Sequence, residues 1–317
     1  LASAIINGCV KHRPHKSSIL AVRSDVMQIG EGTPSAPVLG VACDAALRAM
    51  LLATHDTLIG VDLTDGLINT RVSGNLVGLE IDDRSHPGTR LELRDGSAVV
   101  HRVGFDGTEE ELFRAPWGTR LYFPEFITRS PSDRRALVTN HGGYSVVLSD
   151  GASEHTTIVP PASSAIWMDE YRVWLFGVYS DAAAMLDMGT GGLLDHTLRE
   201  GYPIAFTSEG VLEQYRVNGS VHLKVKGQGT EITLNIGTEV VVSATMGKDT
   251  EFVGVTRRGQ GYLHIMDSNL GSSYFVNLRG RGRAACIDSG GKRAVFVVEM
   301  TRIDDEGTYL GLEWLSW

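Results

Sequence analysis

Cysteine is scarce. The 317-residue chain has three, Cys9, Cys43 and Cys286, an odd number without CxxC spacing. Neither a disulfide framework nor a zinc knuckle is indicated, so reduced and mostly buried thiols are expected. No run approaches the roughly 20 apolar residues of a membrane-spanning helix, which excludes membrane insertion by that route. Basic residues are outnumbered, 29 Lys plus Arg against 38 Asp plus Glu, for a formal net charge of -9. That balance argues against general affinity for nucleic acid or an anionic membrane unless the cations are segregated onto one face. Helical periodicity is missing as well. The one segment of helical composition, DAALRAMLLATHD (44–56), reads equally well as a turn followed by a strand, so an α/β fold lacks its helices. There is no Gly-x-Ser-x-Gly elbow, and Gly247-Lys248-Asp249-Thr250 lacks the upstream glycine and following helix of a phosphate loop. No His, Asp or Glu set has metal-ligand spacing, so no metal and no cofactor are expected.

What the chain does have is glycine, 37 residues against 10 prolines, and a repeating pattern of short apolar runs. The stretch SPSDRRALVTNHGGYSVVLSDG (130–151) contains two strand-length runs, Arg135 to Asn140 and Tyr144 to Ser149, around a His-Gly-Gly hairpin signal and ending in Asp-Gly. Comparable second halves end at Gly66, Gly107, Gly151, Gly191, Gly229 and Gly271, close to the ~40 to 45 residues of a four-stranded propeller blade. A short run rich in small residues precedes each hairpin: VLGVAC (38–43), LVGLEI (76–81), LYFPEFI (121–127), SAIWM (164–168), PIAFT (203–207), VVSATM (241–246) and RAACI (283–287). Crowding near a central axis explains that composition, so these read as inner strands. The seventh unit has no outer strand of its own. Ser17 to Ser24, SSILAVRS, is the natural candidate to complete it and so protect the open edge.

The expectation is therefore an all-β, seven-bladed β-propeller with four antiparallel strands per blade and an N-terminal strand closing the last blade. Residues 1–16 read as an arm and 17–317 as one propeller domain. Ile6-Asn7-Gly8 before Cys9 is similar to the end of a lipoprotein signal, but the charged and apolar parts of such a signal are missing. A soluble chain, cytoplasmic rather than exported, is expected. The SPSDRRALVTN segment, and more loosely DSGGKRAVFVV (288–298), resembles the SPDGKRLYVT pattern of TolB-like and YVTN-type propellers. The paired Gly-His and Trp-Asp signature of WD40 repeats is absent. The resemblance implies a fold and no activity, since such propellers host unrelated functions.

In a propeller, the connections from an outer strand to the next inner strand share one rim with the turns between second and third strands. Sorted this way, Trp117, Arg120, Tyr202, Arg257, Arg258, Arg279, Arg281 and Arg283 fall on one rim of an acidic protein. Guanidinium groups bind carboxylate and phosphate bidentately, so these eight residues are the candidate site for a small anionic molecule or peptide. His55, His141 and Asp181 on the same rim are weak candidates for acid–base work, because no partner at a fixed offset orients them. The leading functional reading is a binding module. A stand-alone lyase, lactonase or cyclase using the same funnel, and a scaffold presenting surfaces to protein partners, remain open. His222 and His264 share a third-strand position and are expected to pack between blades.

Overall fold

The hairpin that sets the repeat forms over Arg135–Asn140 and Ser145–Ser149, flanked by an inner strand, Pro124–Arg129, and an outer one, Ala152–His155. The computed structural model describes residues 22–23, 27–29, 38–80, 86–118, 124–140, 144–155, 164–176, 182–197, 200–206, 210–226, 231–247, 251–267, 270–288, 290, 292–301 and 308–317. Within them the pattern recurs as seven antiparallel sheets. Their inner strands are Gly40–Cys43, Leu76–Leu79, Pro124–Arg129, Ser164–Trp167, Tyr202–Phe206, Val241–Met246 and Arg281–Ile287 for blades 1 to 7. Each overlaps the small-residue run expected of it. The helix-like segment 44–56 is a turn leading into the strand Ala49–Ala53.

A four-stranded blade is too thin to hold a core of its own, so apolar side chains meet between blades. Leu51 and Leu58 of blade 1 share a cluster with Val77 and Val103 of blade 2. Leu76 and Leu91 pack on Ile127 and Val138 across the next seam. Further clusters join blades 3 to 4, 4 to 5 to 6, and 6 to 7, and Met50, Leu52 and Ile59 of blade 1 meet Val295, Val297 and Leu312 of blade 7. Each fully buried aliphatic side chain contributes about 1.5–3 kcal/mol, so the ring is held by its seams. Close approach is part of this. A β-carbon on Gly78 would lie 2.0 Å from the Ile127 carbonyl oxygen, so only glycine lets the blade 2 inner strand reach blade 3.

The seam between blades 2 and 3 also carries a buried polar network that reaches blade 4. Arg129, 0% exposed, donates Nε to Thr89 Oγ1 at 2.6 Å and Nη2 to the His86 carbonyl at 2.6 Å, and it pairs with Asp133 through Nη1. Glu80 accepts from the hydroxyls of Thr89 (2.8 Å) and Thr128 (2.7 Å) and from the Arg129 backbone N–H (2.6 Å). Trp167 of blade 4 donates its indole N–H to Thr128 Oγ1 at 2.8 Å. A charge this deep persists only when paired and fully hydrogen-bonded.

One expectation is met and one needs correction. A strand within Ser17 to Ser24 does close the last blade, and a second pairing follows it further along the chain. Val22–Arg23 pairs with Ser316 and Leu315, and Met27–Gln28 pairs with Leu312 and Gly311, both on the outer edge of blade 7; residues 17–21 and 24 lie outside the described residues. Burial accounts for the placement, because Ile29, 0% exposed, enters the cluster between blades 7 and 1. Cys43 and Cys286, expected as free thiols, form a disulfide with their Cα atoms 6.3 Å apart. Inner strands of adjacent blades do belong to separate sheets. Near the axis, however, they converge to within disulfide reach, and closing the ring makes the first and last of them neighbours. Cys9 lies outside the described residues.

Candidate functional site

The five arginines from blades 6 and 7 reach one place by two routes. Arg257 and Arg258 occupy the turn after the blade 6 strand Phe252–Thr256, whereas Arg279, Arg281 and Arg283 lie on the connection into the blade 7 inner strand and at its start. The segments touch. The Gly282 N–H donates to the Gly259 carbonyl at 2.9 Å, and a β-carbon on Gly259, whose φ is +82°, would lie 2.7 Å from Arg281 Cγ. Glycine is required there twice over, by the left-handed backbone and by the arginine stem packed on it.

Three carboxylates meet the cluster among the described residues. Arg258 Nη1 lies 3.0 Å from Glu239, with the Arg258 side chain 76% exposed. Arg283 directs Nε (2.6 Å) and Nη2 onto one oxygen of Glu299, both side chains being largely covered. Glu313, buried on blade 7, accepts the Arg279 backbone N–H at 2.8 Å. Arg281 is exposed and has no carboxylate partner among the described residues. An ion pair as exposed as Arg258–Glu239 is worth about 1 kcal/mol or less, so an incoming carboxylate can displace Glu239. Arg283 is held more firmly, by two bonds in a covered setting.

The other candidates stand elsewhere. Trp117 is half-buried on the other side of the ring, packed on the core of blades 2 and 3, with its N–H donated to Gly96. Tyr202 is 5% exposed, receives an N–H from Gln214 at 3.3 Å and packs at a tilt against Phe176, which makes it a packing residue of the blade 4–5–6 seam. His55 is exposed at a hairpin tip of blade 1. Arg120, His141 and Asp181 lie outside the described residues. His264 is fully buried, donating to or accepting from Ser273 through Nδ1 at 2.8 Å and stacked on Phe252; burial pulls its pKa down to about 4. His222 stacks on Tyr215 of its own blade.

The central channel has a cavity volume of about 60 Å³ and is lined by residues such as Leu39, Val41, Leu79, Phe126, Ile204 and Thr245. Among the described residues its lining contains no ionisable side chain. Among the described residues, no three His, Cys, Asp or Glu side chains converge as a metal site would require, and no helix is long and apolar enough to cross a membrane. Sequence reasoning named the arginines and a central funnel but missed the buried Glu80–Arg129 network. Thr89, Thr128 and Arg129 carry little local signal, because apart from Asp133 their partners in the network are 9 to 49 residues away.

These seven sheets around a central channel define a seven-bladed β-propeller. Similar solved structures include the β-propeller domain of Cps50 (Swd1) from Myceliophteria thermophila, 8% identical with a TM-score of 0.56 over 94% of this chain and 99% of that one. U3-55K is 10% identical, with a TM-score of 0.54 over 92% of this chain and 98% of its own. The RRP9 WD40 repeats are also 10% identical, with a TM-score of 0.55 over 92% and 96%. Likeness at such low identity concerns the fold alone. They support the propeller fold that the resemblance of SPSDRRALVTN to TolB-like and YVTN-type repeats implies, without singling out that type; one of them is described by its WD40 repeats. No protein-family model and no curated protein matches the sequence.

Proposed function

We propose that the chain is a non-enzymatic propeller binding module that docks an acidic segment of a protein partner on the arginine cluster of blades 6 and 7. One observation carries the reading: the Gly282–Gly259 contact gathers arginines from two separate turns, leaving Arg258 exposed and Arg281 exposed with no carboxylate partner among the described residues. A peptide with spaced Asp or Glu side chains can use both forks at once, which a single small anion does less well. The uncharged lining of the channel supports binding over acid–base chemistry, which requires titratable groups at the ligand.

Fluorescence anisotropy with labelled Glu-rich and Lys-rich peptides tests this. The acidic peptide binds, its affinity falls as salt rises because exposed charges are screened over about 8–10 Å, and Arg258→Ala or Arg281→Ala weakens it about fivefold each, roughly 1 kcal/mol. Lys at either position restores part of the loss, having charge without the planar fork. Equal binding of both peptides, or by the Arg281→Ala variant and the parent, overturns the proposal.

A further inference from the structure

The Cys43–Cys286 bond joins residues 243 positions apart. Its sulfurs come together only when the blade 7 inner strand is seated against that of blade 1, and no backbone ladder joins those strands. What seats them is the mixed cluster that includes Met50, Leu52, Val295, Val297 and Leu312, with Ile29 from the closing segment. Blade 7 reaches blade 1 only by way of the intervening five. Oxidation therefore follows ring closure and records that it has happened.

The two sulfurs are not equally placed. Cys286 is 1% exposed near the end of the blade 7 inner strand, between Ala285 and Ile287, both buried as well. Cys43 ends its strand, is half-buried, and borders the turn at 44–48. Thiol–disulfide exchange requires in-line access of the attacking thiolate to one sulfur, and Cys43 is the less buried residue of the two.

We propose that Cys43 is the exchange sulfur of a redox clasp on the closed ring, acted on by a dithiol–disulfide oxidoreductase or a small-molecule disulfide. In formation, the Cys43 thiolate attacks the partner's S–S bond, making a mixed disulfide and releasing one partner thiolate. The Cys286 thiolate then attacks Cys43 Sγ and releases the second. Two protein thiols are oxidised, one partner disulfide is reduced, and the two protein protons end on the partner's thiols. Reduction runs the same path backwards, with Cys286 as leaving group. A clasp of this kind persists in oxidising surroundings, in contrast to the cytoplasmic setting expected from the cysteine count.

The test uses a Cys9→Ser chain, so that only these two thiols remain. Peptide mapping without reductant after refolding with oxidised glutathione is expected to recover the Cys43–Cys286 linked pair; both cysteines recovered singly would overturn the clasp. With Cys286→Ser added, the remaining thiol is expected to react with Ellman's reagent at least tenfold faster than the remaining thiol of the Cys43→Ser version. Equal or reversed rates overturn the assignment of Cys43. Should either variant fail to fold by its thermal melt, the same ordering is read on the reduced Cys9→Ser chain. Brief labelling with a light maleimide, then unfolding and labelling with a heavy one, is expected to put the light label on Cys43 at least tenfold more often than on Cys286. Equal light labelling again overturns it, and the preference is expected to vanish in guanidinium.

Discussion

The seam between blades 2 and 3 and the seam between blades 6 and 7 are built on the same plan and use charge in opposite ways. At the first, Arg129 and Glu80 are buried, and the network around them satisfies Thr89, Thr128 and the Trp167 indole. At the second, the interior is apolar, with Val253, Leu263, Ala285 and Phe296 in contact, while the arginines sit on the rim above it. An arginine whose donors are all engaged inside the protein specifies how blades stack and has nothing left for a ligand. An exposed arginine above an apolar seam, such as Arg281, contributes little to stacking and is available for binding. Arginine content alone therefore says little about function; depth decides it.

Removing the buried cation should break the contrast most visibly. Arg129→Ala leaves Glu80 charged in a dry site and is expected to cost about 3–5 kcal/mol, read from urea unfolding. A loss below about 1 kcal/mol would mean that water or a neighbour relieves the carboxylate, and the distinction between the seams would weaken.

His264 of blade 6 sharpens the comparison through pH. Its folded pKa, about 4, lies below its unfolded value near 6.5, so the folded state holds it neutral where the unfolded chain binds a proton. Stability from this group is complete above pH 6.5 and is lost as pH falls toward 4. The total is about 3 kcal/mol, at 1.36 kcal/mol per unit. Denaturation midpoints measured between pH 7 and 4 should fall more steeply for the parent than for His264→Gln, and matching slopes would exclude His264 as the source.

A smaller effect is expected at the edge of the buried network. Trp167→Phe keeps the ring but removes the donor to Thr128, and should cost about 1 kcal/mol in the same unfolding assay. Because Thr128 also contacts Glu80, this loss should shrink when Arg129 is already absent, as expected for members of one network. Strict additivity would argue against a connected network.

The smallest stability effects belong to the rim. Arg258→Ala and Arg281→Ala should change the unfolding free energy by less than about 0.5 kcal/mol, whatever they do to binding. A larger change at Arg281 would show that its stem, packed on Gly259, supports the seam.

By itself the sequence determined the blade. Period-spaced glycines, hairpin signals and small-residue runs are local consequences of turn geometry and crowding at the axis, and a repeat states them several times over. Arg135–Asn140 and Val241–Met246 are strands to the residue. The grouping of Arg257 and Arg258 with Arg279, Arg281 and Arg283 on one rim was also legible, because strand order alone assigns each connection to a rim. Only the tertiary structure decided what meets across seams. The Cys43–Cys286 bond, the burial of Tyr202, and the Glu80–Arg129 network all depend on contacts between different sheets. Hydrogen-bond register fixes positions within a blade, but packing angle and depth fix them between blades, and neither is written in the spacing of residues along one chain.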